Sequence, residues 1–234
     1  MGTIIALILG AMTLVGYLAY MFMPSSDNPL GDTATQTNRA AAYSTVGIMS
    51  STQQGFTTMQ SRGVAISQVL FNGSETGLNG TPVDLITDES DVMSTRQLFH
   101  PKFGTMASPP AFPSAASAAA DPRTSVFYYR NNIAFRGGAG AVPLELGTTT
   151  PEIAMFAPNI KTGVCLSINA QLHNDSEEDP DQVPSSGLAL SAFTGTDATP
   201  TVMTTAPAGL RARTTGCVQT TDGAYVAFVS LAKR

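Results

Sequence analysis

The sequence predicts an α+β fold in which a long N-terminal helical region precedes a C-terminal antiparallel β-sheet head. Three observations carry this reading. Residues 3–23 contain no charged side chain, residues 33–70 contain no proline and repeat apolar residues at helical spacing, and runs rich in Val, Ile, Phe and Tyr begin only after residue 125. The organisation expected is a hydrophobic helix at 1–24, a breaker-rich hinge at 25–33, an amphipathic helix packing on the head at 34–70, and a loop-rich α+β head at 71–234.

The twenty-one residues from 3 to 23 would rise about 1.5 Å each as a helix, enough to cross a hydrocarbon core of roughly 30 Å. A signal peptide would carry a basic start, a shorter apolar run and a small-x-small cleavage site. Here the run ends Met21-Phe22-Met23-Pro24, so retention of the segment is expected. An ordinary membrane anchor would place Lys or Arg close to one end, but the first basic residue is Arg39. A basic segment removed upstream would account for this. Gly2, Ala6 and Gly10 recur every four residues and form a stripe that permits close helix approach, although Gly and Ala are common in membrane helices in general. Gly10, Gly16 and Pro24 are positions where such a helix can unwind.

Pro24, Pro29 and Gly31 interrupt the chain next, and Asp32 or Thr33 is placed to cap a second helix. Ala41, Met49, Phe56, Met59, Ala65 and Val69 follow near helical spacing among Gln, Ser, Thr and Asn. The methionines on this face are read as core filling. Residues 71–125, with repeated Asn-Gly and with Pro101, Pro109, Pro110 and Pro113 among their prolines, predict a long surface excursion. Strands are expected at 125–130 and 133–135, with a turn at Gly137 to Gly140. Short helices are expected at 151–156 and 162–172, weaker strands at 188–193 and 201–205, and a strong strand at 224–231.

Charged residues make up only 12% of the 234-residue chain, with a formal net charge of −5. Lysines and arginines are scattered singly, so no basic stripe could neutralise a run of phosphates and there is no direct nucleic-acid signal. Cys165 and Cys217 lack metal-site or CxxC spacing. They are read as one disulfide or as two buried thiols. A bridge closing a loop of about fifty residues is worth roughly 4 kcal/mol in the chain-entropy model.

No catalytic or phosphate-loop signature is present, and only His100 and His173 offer imidazole. Both are expected in surface loops, so neither an enzyme nor a cofactor is predicted. Asp175, Glu177, Glu178, Asp179 and Asp181 place five carboxylates in seven residues. Calcium needs several oxygen ligands and makes this a metal candidate; without the glycine and spacing of a calcium loop, a solvated acidic run is the competing reading. Three Asn-x-Ser/Thr sites, at Asn72, Asn79 and Asn174, mark exposed loops.

Taken together, the apolar first 24 residues, the amphipathic helix, the late sheet and the pair Cys165 and Cys217 resemble the type IV pilin-like proteins, the type IVb branch in particular. The resemblance implies that a basic leader is cut off so that Met1 is the first mature residue, and that Gly2, Ile5, Ala6, Gly10, Gly16 and Pro24 belong to the assembly stem. It also implies a subunit that is held in the inner membrane as a single-pass precursor, engages an inner-membrane assembly machinery, and polymerises with itself into an extracellular filament. One departure is that the acid usual near the start of such stems is replaced by Ile5. Its absence is better known among minor pilins and type II secretion pseudopilins. A single-pass membrane-anchored periplasmic or surface binding protein is the other alternative.

Overall fold

A computed structural model describes residues 29–71, 92–120, 126–137, 152–173, 183–194, 201–206 and 214–232. The chain divides into two compact units, Met1–Thr37 and Asn38–Arg234. Of the first, the described part is the opening of a helix in which the Thr37 hydroxyl donates to the Thr33 carbonyl at 2.8 Å. The expected apolar helix, with Met1, Gly2, Ile5, Ala6, Gly10, Gly16 and Pro24, lies outside the described residues. Among the described residues, no helix is long and apolar enough to cross a membrane.

Helix α1 runs Pro29–Ser61, starting earlier and stopping sooner than the predicted 34–70. Ala41, Ala42, Val46, Met49, Phe56 and Met59 are buried along it, at the spacing that keeps one face on the core. Its hydroxyls fold back on the helix: Thr45 donates to the Ala41 carbonyl, Thr52 to Ile48 and Thr58 to Gln54, all at 2.9 Å. Those bonds satisfy the hydroxyls on carbonyls of the helix itself. The helix stops at Gly63, whose φ is +87°. The Val64 N–H reaches the Met59 carbonyl and the Gly63 N–H the Gln60 carbonyl, a left-handed cap that favours glycine. Ala65, expected on the apolar face, therefore lies beyond the helix and is exposed.

Among the described residues, five strands follow: β1 Tyr128–Gly137, β2 Glu152–Ala157, β3 Thr201–Ala206, β4 Thr215–Gln219 and β5 Tyr225–Ala232. Two further α-helices among them are α2 Thr162–His173 and α3 Leu190–Thr194. The sheet order is β3-β1-β2-β5-β4. β1, β2, β5 and β4 form an antiparallel block, whereas β3 joins β1 in parallel, so the expected purely antiparallel sheet is corrected at one edge. The two strands expected on either side of Asn131 and Asn132 are one strand, with an irregularity between Arg130 and Ile133.

The sheet is covered on both faces. Ile153, Met155, Ala157, Ala227, Val229 and Cys217 join α1 and α2 in one core, while Ala154, Phe156, Val226, Phe228 and Val218 pack with Phe193 of α3 in a second. This corrects two expectations. Residues 152–157, overlapping the helix expected at 151–156, form a strand, because an apolar run buried on both faces loses the alternation that distinguishes a half-buried strand from a helix. Residues 190–194 form a helix that lays Phe193 over Phe156, ring centroids 5.2 Å apart.

The described part of the 71–125 segment is anchored in the core at several points, while 101–115 stay exposed or half-buried as expected. Phe71, Leu98, Phe99 and Ala116 are buried. Phe71 stacks between Phe56 of α1 at 5.9 Å and Tyr129 of β1 at 4.5 Å, and Phe99 tilts against the same tyrosine at 5.7 Å. Thr105 bonds the Gly55 carbonyl at 2.8 Å, and a Cβ on Gly55 would come within 2.9 Å of that Thr105 hydroxyl. The absence of a side chain there lets the loop lie on the helix.

Candidate functional site

A run of polar contacts lies where α2 meets the outer edge of β4. Helix α2 carries Cys165, Asn169 and His173 at successive intervals of four, which places them on one face. Cys165 is bonded to Cys217 of β4 across a sequence separation of 52 residues, with Cα atoms 5.4 Å apart, and both residues are buried. The disulfide reading of the two cysteines is the one observed. One turn along, the Asn169 amide nitrogen donates to the Cys217 carbonyl at 2.9 Å and its oxygen accepts from the Cys217 N–H at 2.8 Å. A further turn along, His173 Nε2 donates to the Thr215 carbonyl at 2.8 Å, because a carbonyl can only accept.

The same edge continues past α2. The Gln219 N–H donates to the Pro184 carbonyl at 2.8 Å, and the Ser186 N–H donates to the Gln219 carbonyl at 2.7 Å. β4 pairs with β5 through its other side. Its outward groups at 215, 217 and 219 are thus met in turn by an imidazole, a carboxamide and a short parallel bridge. Asn169 is fully covered at 2% exposure, so both of its bonds replace water that would otherwise be lost.

The remaining imidazole has a different setting from the one expected. His100 is only 3% exposed, and its Nδ1 accepts from the Lys102 and Phe103 N–H groups, each at 3.1 Å. A nitrogen that accepts twice carries no proton, so Nε2 holds it. The ring organises a turn in which Phe103 tilts against it, with ring centroids 5.2 Å apart, and the Lys102 ammonium lies 5.4 Å from the Phe103 ring. Tyr129 is also buried, and among the described residues its hydroxyl has no hydrogen-bond partner. Burial disfavours the phenolate and pushes its pKa above the ordinary value.

Among the described residues, no group of three or more His, Cys, Asp or Glu is arranged to hold a metal ion. The calcium candidates Asp175, Glu177, Glu178, Asp179 and Asp181 lie outside those residues, as do the Gly137 to Gly140 turn past its first glycine and the three Asn-x-Ser/Thr sites. Asn169 was legible only as the midpoint of the Cys165 and His173 spacing; sequence reading passed over it. No family model matches the chain, and neither a curated protein nor a solved structure matches it.

Proposed function

We propose that this chain is the structural subunit of a type IV pilus-like extracellular filament, not an enzyme, and that it polymerises through its hydrophobic N-terminal helix. The observation that carries this reading is the order of parts along the chain: an uncharged run at 3–23, then a long helix, then an α+β head. The buried disulfide between Cys165 and Cys217 supports a head that matures in an oxidising compartment.

Bilayer physics supplies the mechanism. A charge-free helix is stable in lipid, where its backbone bonds are internal, and it is stable outside only when its apolar surface is buried elsewhere. Copies of the same helix provide that burial. A stem hiding on the order of 1,500 Å2 at about 25 cal/mol per Å2 would represent tens of kcal/mol before ordering costs. Head-to-tail repetition of one contact without ring closure then gives a fibre. Gly2, Ala6 and Gly10 form the stripe along which neighbouring stems approach, and the Ser/Thr-rich α1 and the head face outward.

Electron microscopy of sheared cell-surface material, with mass spectrometry of the fibres, tests the reading. Fibres built of this chain, lost when Ala6 or Gly10 is replaced by Leu while head folding is retained, are expected. Recovery of the chain only in membranes, with no fibre, would refute the filament and leave the anchored binding protein. Unchanged fibres in the Leu variants would refute close packing along the small-residue stripe.

A further inference from the structure

We propose that His100 is a pH-operated latch that clasps the 98–106 loop onto the C-terminal end of α1 while its ring is neutral and releases the loop when the ring is protonated. The inference stands on the head's fold and does not depend on the filament reading. The loop meets α1 through two backbone carbonyls. Arg62 Nη1 donates to the Phe103 carbonyl at 3.1 Å, and the Thr105 hydroxyl donates to the Gly55 carbonyl at 2.8 Å. Phe103 and Thr105 flank Gly104, whose N–H closes the turn on the His100 carbonyl at 3.0 Å. The imidazole holds that turn shut from inside, its Nδ1 accepting the Lys102 and Phe103 N–H groups at 3.1 Å each.

A single proton reverses the role of this ring. Neutral imidazole offers one acceptor nitrogen, whereas imidazolium has an N–H at both positions and accepts nothing. Once Nδ1 carries a proton it opposes the two N–H groups instead of receiving them, so both bonds are lost together. With the ring only 3% exposed, the imidazolium reaches water only as the loop lifts. Among the described residues, the charged or titratable groups on the elements packed around the loop are Arg62 of α1, Arg96 just before the loop, Lys102 within it, and Tyr129 of β1 against Phe99. Three of these are cations and none is a carboxylate, so none offsets the added charge. The latch is therefore closed at high pH and opens as pH falls through the range in which imidazoles titrate.

The test uses full-length protein in detergent micelles and hydrogen-exchange mass spectrometry from about pH 8 to about pH 4.5, each rate referred to the intrinsic rate at its pH. Protection of the Lys102 and Phe103 amides should fall by roughly tenfold to thirtyfold, as the loss of two net hydrogen bonds implies, while protection across β5 stays constant. Exchange of the His100 C2 hydrogen, measured on the same peptide, reports protonation of the ring, and its midpoint should coincide with that of the amide loss. In His100→Asn, the Oδ1 can accept the same two N–H groups and does not titrate, so the loop should stay protected at both ends of the range. Parent protection that does not change with pH would overturn the proposal, as would a fall whose midpoint departs from that of the ring. The same fall in a folded His100→Asn would also overturn it. Should that variant fail to fold, the two midpoints in the parent decide.

Discussion

Replacing both Cys165 and Cys217 by Ala measures how the head depends on its one cross-link. The bridge spans a sequence separation of 52 residues, and a loop of about that length confines the unfolded chain by roughly 4 kcal/mol. The native side of the comparison changes little. Asn169 keeps both of its bonds to the Cys217 backbone position, each worth about 1 kcal/mol net, so α2 stays on β4 without the sulfurs. The expected loss is therefore close to the chain-entropy figure, and at a urea slope of about 2 kcal/mol/M the unfolding midpoint should fall by about 2 M. Equilibrium unfolding of the full chain in micelles, followed by circular dichroism, checks this, with the parent protein under reductant expected to match the variant. A loss below about 1 kcal/mol with an unchanged slope would refute the reasoning. Two alkylatable thiols in the unreduced parent would refute the bridge itself.

Two other perturbations probe the core and the second face of the sheet. Phe71→Ala should cost about 3–5 kcal/mol, because the ring is fully buried and stacked between Phe56 and Tyr129; a denaturation midpoint equal to the parent's would contradict that placement. Asp222, whose carboxylate accepts from the Leu190 N–H at the start of α3 at 3.1 Å, has its pKa held below the ordinary value by the Thr220 hydroxyl first and then by backbone N–H groups. A carboxyl with a lowered native pKa contributes stability that is complete above its unfolded pKa and is lost as pH falls through the native one. The protection of the Leu190 amide, its exchange rate referred to the intrinsic rate at each pH, should therefore fall below about pH 4 in the parent and lose that dependence in Asp222→Asn; a pH-independent protection in the parent would count against the cap.

What the sequence by itself determined is the order of parts and the chemistry available to them. The spacing of Ala41, Met49, Phe56 and Met59 located α1 because a helix repeats every 3.6 residues whatever it packs against. The strands around residues 128–137, 201–206 and 225–232 were legible from β-branched and aromatic runs, and the cysteine pair from its isolation. What only the tertiary structure decided is everything set by a second element. Residues 152–157 are a strand because helices cover both sides of the sheet, and residues 190–194 are a helix because Phe193 finds Phe156. His100 is buried because its Nδ1 gathers the N–H groups of its own turn. Asn169, an unremarkable polar residue in sequence, becomes the partner of a sheet edge because α2 crosses β4 at that turn. Periodicity records which face of an element is apolar; only the folded chain supplies the group that meets it.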